Sequence, residues 1–400
     1  MSNKLKPWQG LVIYVLVFLT LITAGAYLQA RLSVVGLILS ELVLVLVAVG
    51  FTEIFSCSIK DAIPLTLPPI KSFFGGAMLY AGTLAAITPV TLLLQTLFPQ
   101  EFVKVSNGIG GILTSVSPAV GIIAFALIPA ICEEIIMRGI ILSSMKSVRS
   151  KLLVSAIVGV MFGILHLDPI RFFPTAMLGA VLAYIALETD SIILPAIFHF
   201  LNNSFSVVSS YNAGSAGQAA DSARAIQITF GIPTVIGLFL FYGAIAIPLF
   251  YFGTRLLKNK KPRARGVIIS VVLAVVMIIS GLVTVAVSNV KPIYSDFTEE
   301  AMIVDGHAER VCEFTVEEDG LYSISVTSVC DGGLTAYKLK DEKGNILKEV
   351  PYDSAVTDSV NMELEKGRYI LTIYAEEENE DSDAALTAGV IVVQISVNIS

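Results

Sequence analysis

Long apolar runs separated by short polar segments fill the chain as far as about residue 290, and a period-two alternation replaces them beyond it. The runs fall at about 10–30, 33–51, 73–97, 118–142, 152–167, 171–187, 191–208, 229–253 and 267–289. A helix needs about 20 apolar residues to cross the hydrocarbon core of a bilayer, so the pattern predicts nine transmembrane helices. The fifth and sixth runs are short and are parted only by Asp168-Pro169-Ile170. The first run follows a short basic start (Lys4, Lys6). It is too long for a signal-peptide core, and no small-residue cleavage site follows it, so it reads as the first span.

The tail follows a different rule. CEFTVEEDGLYSISVTS alternates apolar and polar residues about Asp319-Gly320, and TAYKLKDEKGNILKEV repeats the pattern about Lys343-Gly344-Asn345. Both read as β-hairpins. GRYILTIYA and GVIVVQISV supply later strands. The expected fold is an all-α polytopic membrane bundle over 1–290, followed by a small all-β, sandwich-like extracytoplasmic domain over 291–400.

Composition supports that division. The chain is 55% hydrophobic and 15% charged, with a mean hydropathy of +0.79, whereas a soluble domain is about 25% charged. Residues 1–290 hold 18 Lys and Arg against 10 Asp and Glu, net +8; residues 291–400 hold 8 against 23, net −15. With the N-terminus in the cytoplasm, the basic clusters Lys146, Arg149 and Lys151 and Arg255–Arg265 fall inside, as the positive-inside rule requires. An odd number of spans then places the acidic tail outside the cytoplasm. There Cys312 and Cys330 are a disulfide candidate, with two buried thiols as the alternative. No cysteine spacing suggests a metal site.

Charge within the fourth run changes the picture further. PAVGIIAFALIPAICEEIIMRGIIL carries Glu133, Glu134 and Arg138 in an otherwise apolar helix. A charge at bilayer depth costs roughly 2.5–3.5 kcal/mol, so such groups pair, face a cavity or perform chemistry. Glu134 and Arg138 are spaced to pair across one turn, which leaves Glu133 without a partner in its own helix. The fifth run carries His166, four residues after Phe162, and the seventh carries His199 and Asn203, also four apart. Measured along their helices, Glu133 lies about 14 Å, His166 about 21 Å and His199 to Asn203 about 12–18 Å from the cytoplasmic end. Such a set permits hydrolysis: a buried carboxylate as general base toward water, and a histidine with an asparagine as donors to an oxyanion. A glutamate and two histidines can alternatively hold a metal; the HExxH pattern is absent.

Glu133-Glu134-x-x-x-Arg138, Phe162-x-x-x-His166 and His199-x-x-x-Asn203, in that order over about 112–208, resemble the three motifs of the CPBP family. These are the CAAX-prenyl endopeptidases and bacteriocin-processing intramembrane proteases, also called the Abi family. The resemblance implies an intramembrane endopeptidase acting on a peptide or membrane-associated protein. It implies Glu133 as the base, His166 as the group that helps position the water, His199 and Asn203 as the oxyanion pair, and Glu134 and Arg138 as support. Zinc is the one cofactor it brings into question, with Glu133, His166 and His199 as its ligands. The expected partners are the substrate, the lipid bilayer and an envelope partner for the β domain, with no nucleic acid. Two other functions compete: a non-catalytic immunity or scaffold protein that keeps the motifs for packing, and a proton-coupled transporter. A transporter should show repeated halves, and no internal repeat occurs.

Overall fold

The computed structural model describes residues 4–98, 101, 105, 111–113, 115–212, 217–287, 294–298, 307–330, 333–353, 355–377 and 391–399. The chain divides into two compact units, Met1–Arg224 with Val235–Val283, and Ala225–Thr234 with Thr284–Ser400.

The first unit is helical. Its elements are α1 (Pro7–Thr20), a π-helical turn (Leu21–Gly25), α2 (Ala26–Ile54), the single turn α3 (Ile59–Ala62), α4 (Ile70–Leu97), α5 (Pro118–Ser144), α6 (Lys151–Leu165), α7 (Pro169–Thr189), α8 (Ile193–Asn212), α9 (Gly217–Leu257) and α10 (Ala264–Val287). Six helices among the described residues are long and apolar enough to cross a membrane: Pro7–Ile54, Ile70–Gln95, Pro118–Ser144, Pro169–Thr189, Val235–Leu257 and Ala264–Thr284. This is a multi-pass membrane protein. Nine were expected, and three features separate the two counts. The first of the six, at 48 residues, would be about 72 Å long if straight. It instead breaks at Ser33, where φ is 49° and ψ is −124°. The chain doubles back there, so that Trp8 meets Phe55 with ring centroids 5.5 Å apart. Next, α6 is apolar but has only 15 residues. Lastly, α8 has the length, but His199, Asn202, Asn203 and its serines lower its apolarity.

Local sequence sets the ends of the helices that matter most. Ser150 caps α6 by accepting the Leu153 N–H, and Asp168 caps α7 by accepting from Ile170 and Arg171, with Pro169 in the first helical position. Pro is tolerated there because its missing N–H would have no partner. α6 and α7 pack as a tight antiparallel hairpin. A Cβ on Gly159 would come within 2.5 Å of the Ala176 carbonyl, and one on Gly163 within 2.9 Å of the Phe172 carbonyl. Small residues at this spacing let two membrane helices touch backbone to backbone.

α5 is the centre of the unit. Its Ile136, Met137, Ile140, Ile141 and Leu142 pack with Ile13, Tyr14 and Val17 of α1, Leu44 and Ala48 of α2, and Val154, Val158 and Phe162 of α6. A second cluster joins Leu79 of α4, Leu178, Leu182 and Ile185 of α7, and Leu194 and Phe198 of α8. At one end of the bundle Lys146 pairs with Asp190, and both Lys151 and Lys258 pair with Glu188. The basic residues that follow α5 and α9 and begin α6 therefore meet at a single level.

The second unit holds two four-stranded antiparallel sheets, ordered β1-β8-β3-β6 and β2-β7-β4-β5. The strands are β1 (Tyr294–Thr298), β2 (His307–Val316), β3 (Gly320–Cys330), β4 (Gly333–Asp341), β5 (Ile346–Asp353), β6 (Ala355–Leu364), β7 (Gly367–Glu377) and β8 (Ile391–Ile399). Alternate residues from both sheets form one core, with Cys312, Phe314 and Val316 of β2 against Tyr322, Ile324 and Val326 of β3. The turn at Gly344, where φ is +84°, closes the expected β4–β5 hairpin. The expected hairpin about Asp319-Gly320 does not form. β2 pairs with β7, and β3 pairs with β6 and β8, so this turn crosses from one sheet to the other. The Asp319 carboxylate accepts the Lys366 N–H, which ties the crossing to the β6–β7 connection. An alternating pattern specifies a buried face but not which strand lies alongside. Residues 376–383, which are mostly acidic, lie largely outside the described residues, as does the side chain of Cys330, so the bridge from buried Cys312 stays an expectation.

Candidate active site

α5 does not run as a uniform α-helix. Ile122–Leu127 and Ile135–Ile141 are π-helical, and the α-helical turn Ile128–Glu134 lies between them. Widened turns of this kind recur where a helix must aim side chains at a functional site. Here they flank Glu133 and Glu134 and carry Arg138.

Glu134 and Arg138 form the anticipated pair. Arg138 Nη1 lies 2.7 Å from Glu134 Oε1, and both side chains are sealed from the surface. Burying two charges costs several kcal/mol per ion unless other groups offset it. Three do so. Arg138 Nη2 donates to the Gly179 carbonyl at 3.1 Å. The guanidinium also sits 4.4 Å from the centre of the Phe162 ring, a cation–π contact. His199 adds a third, with Nδ1 2.9 Å from the same Glu134 Oε1. A carboxylate only accepts, so Nδ1 carries the proton there. Gly179 matters twice, because a Cβ on it would come within 2.8 Å of the Phe162 ring.

Phe162 joins the three motifs. Its ring stands edge-on to His166 at 4.8 Å and to His199 at 5.6 Å, and it lies under Arg138. His166 ends α6, and its Nδ1–H donates to the Phe162 carbonyl at 3.0 Å. A carbonyl accepts only, which leaves His166 Nε2 as the ring's acceptor. The sequence predicts a helix-borne His166; it stands instead as the C-cap residue, at the mouth of the α6–α7 turn.

Glu133 differs from its neighbour. Its side chain keeps 22% of its surface accessible, and Oε2 lies 3.7 Å from His199 Nε2, too far for a hydrogen bond. Oε2 is itself sealed and has no hydrogen-bond partner among the described residues, which is equally true of Glu134 Oε2. Asn203 lies one turn beyond His199 on α8, and its Oδ1 accepts from Asn202 Nδ2 at 3.3 Å, which leaves the Asn203 amide N–H groups to donate elsewhere. Along their helices from the basic end, Glu133 lies about 16 Å, His199 about 9 Å and His166 about 22 Å deep.

The structure thus brings Glu133, Glu134, Arg138, Phe162, His166 and His199 into one cluster, with Asn203 on the adjoining turn. One carboxylate went unnoticed in the sequence. Glu41 of α2 is 7% exposed, and its Oε2 has no hydrogen-bond partner among the described residues. It stands on α2, which packs against the part of α5 that carries Glu133. The signal that exposes Glu133, a lone acid in an apolar run, was present at Glu41 as well.

The donor set does not fit a zinc ion. Among the described residues no three His, Cys, Asp or Glu side chains converge to hold a metal. His199 turns one nitrogen to Glu134 and His166 turns one to its own helix.

Residues 115–205 match the family model described as Type II CAAX prenyl endopeptidase Rce1-like. That stretch contains all three motifs and agrees with the resemblance drawn from them. No curated protein and no solved structure matches the chain. Glu41 and the whole β unit lie outside the matched stretch.

Proposed function

We propose that the protein is an intramembrane endopeptidase of the CAAX-protease type, which cuts a peptide or membrane-associated protein within the bilayer. The observation that carries this reading is the division of labour between adjacent glutamates. Glu134 Oε1 is held by both Arg138 and His199, while Glu133 is bonded to neither and stays partly accessible beside His199.

Glu133 takes a proton from a water molecule as the water oxygen bonds to the scissile carbonyl carbon. His166, with Nε2 as an acceptor, holds the second hydrogen of that water. The developing oxyanion receives hydrogen bonds from His199 and Asn203. With Nδ1–H committed to Glu134, His199 offers Nε2–H as the imidazolium, and the Glu134 carboxylate balances that charge. Glu133 then passes its proton to the departing amine. Arg138 and Phe162 hold this frame and touch no reacting atom.

The basic end formed by Lys146, Lys151 and Lys258 supports a cytoplasmic placement of that level. With nine crossings the N-terminus is then cytoplasmic and the β unit extracytoplasmic, where it is suited to engage an envelope partner. The test is cleavage of a peptide library by purified protein in detergent, wild type against Glu133→Gln. Cleavage by wild type alone supports the reading, and persists after exhaustive chelation. No cleavage by either, or activity restored only by added zinc, contradicts it.

A further inference from the structure

Glu133 is walled off on one side and approached by polar groups on the other. Within about 12 Å of the basic end, α5 carries Ile136, Met137, Ile140, Ile141 and Leu142, each at most 2% exposed. Leu182 and Ile185 of α7 and Leu194 and Phe198 of α8 are buried in the same layer. Side chains packed in this way leave no passage for water or a peptide. The outer side of α5 offers none either, since exposed Ile131 lies about 160° around the helix from Glu133. That leaves the far end of the bundle, where α6 gives way to α7. We propose that water and substrate reach Glu133 from the membrane face opposite the basic end, along a polar path between α8 and the α6–α7 turn.

One wall of the path is a face of α8. His199, Asn202, Asn203, Ser206 and Ser210 fall within about 100° of one another around the helix. The opposite side presents Ile197, Leu201, Phe205 and Val208, all exposed, as a face toward lipid should be. The polar stripe begins at His199, about 9 Å from the basic end, and runs on to Ser210 at about 26 Å. Before His199, the residues of α8 from Ile193 to Phe198 are all apolar. Ser206 and Ser210 place their hydroxyls on carbonyls one turn back. Asn202 and Asn203 keep amide N–H groups without a partner among the described residues, which lipid cannot satisfy.

The other wall is the α6–α7 turn. α6 rises only about 22 Å from Lys151 to His166, about 8 Å less than the hydrocarbon core of a bilayer. The turn holds His166 and Asp168, both half-buried, and is followed by exposed Arg171. Charged groups at that depth call for water. The two walls meet at Phe162, whose ring has His166 and His199 edge-on. On the topology proposed above, the far face is the extracytoplasmic one. The substrate is then a peptide, or a juxtamembrane segment of a protein, presented from outside the cytoplasm. That statement rests on the peptidase reading; the polar path does not.

The test labels full-length protein in intact cells and in inverted membrane vesicles with a charged, membrane-impermeant maleimide, and locates the label by peptide mapping. Ser147→Cys, exposed after α5, marks the basic face. Ser206→Cys and Ser210→Cys should label in the preparation in which Ser147→Cys is protected. Phe205→Cys, on the other side of the same helix, should label in neither. Labelling of Ser206→Cys from the Ser147 side, from neither side, or no faster than Phe205→Cys overturns the proposal, and Ser210→Cys decides by the same outcomes if Ser206→Cys does not fold. This arm needs no turnover. In proteoliposomes, an impermeant peptide added outside should be cut only by molecules whose Ser147→Cys is protected. Labelling of Ser206→Cys should then abolish cleavage, and labelling of Ser147→Cys should leave it unchanged. Cleavage from the Ser147 side, or cleavage indifferent to the label on Ser206→Cys, overturns the proposal. No cleavage in either orientation, with the expected labelling, supports the path and removes the peptidase reading alone.

Discussion

His199 meets Glu134 at 2.9 Å through Nδ1 and stands 3.7 Å from Glu133 through Nε2. One imidazole therefore faces two neighbouring glutamates, bonded to one and open toward the other. This asymmetry separates support from chemistry in the site.

Removing the supporting carboxylate should damage the fold first. Glu134→Gln leaves Arg138 buried with its charge uncompensated, and breaking a buried pair in this way typically costs about 3–5 kcal/mol. Lower expression and a lower thermal midpoint are expected together with lost activity. Glu134→Gln combined with Arg138→Met should recover part of that stability without activity. Thermal unfolding of the three proteins in one detergent checks this.

Gly179 should tolerate no side chain. A Cβ there would sit 2.8 Å from the Phe162 ring, which carries Arg138 over its face and meets both histidines edge-on. Gly179→Ala should reduce turnover and stability together. Gly50→Ala is the contrast: nothing lies within 4 Å of the added carbon, and alanine favours an α-helix over glycine by up to about 1 kcal/mol. Its thermal midpoint should hold or rise.

Asn203 and Asn202 should separate in kinetics. Asn203→Ala removes a proposed oxyanion donor and should lower kcat by roughly 10²–10³-fold with little change in KM. Asn202→Ala removes only the group that orients it and should cost less. Steady-state kinetics on the two variants give the ranking, and the reverse order would place the wrong asparagine at the oxyanion.

The two ends of the chain should lie on opposite faces of the membrane. A reporter active only in the cytoplasm, fused after Ser400, should be silent, and one active only outside should work. The opposite result would remove one crossing, with the 15-residue α6 the first to reconsider.

The helical unit was largely legible from its apolar runs, because a bilayer leaves a spanning chain few ways to satisfy its backbone. The three polar motifs were legible for the same reason: charge and imidazole in apolar helices demand partners. Spacing did not reveal the π-helical turns around Glu133 and Glu134, the reversal at Ser33, or Gly179 as a backbone acceptor for Arg138. Each depends on which helices pack together. In the tail, alternation marked the strands and the β4–β5 hairpin. It misjudged Asp319-Gly320, because the same local turn serves a hairpin and a crossing between sheets. Glu41 belongs to none of the three motifs, so their spacing does not mark it.

The central claim is that Glu133 performs the chemistry and Glu134 holds the frame. Single-turnover hydrolysis by Glu133→Gln tests it most directly, since the substitution keeps volume and removes the basic carboxylate. The account predicts a protein with wild-type thermal stability and no detectable cleavage. Wild-type turnover by Glu133→Gln, alongside a folded but inactive Glu134→Gln, would contradict it.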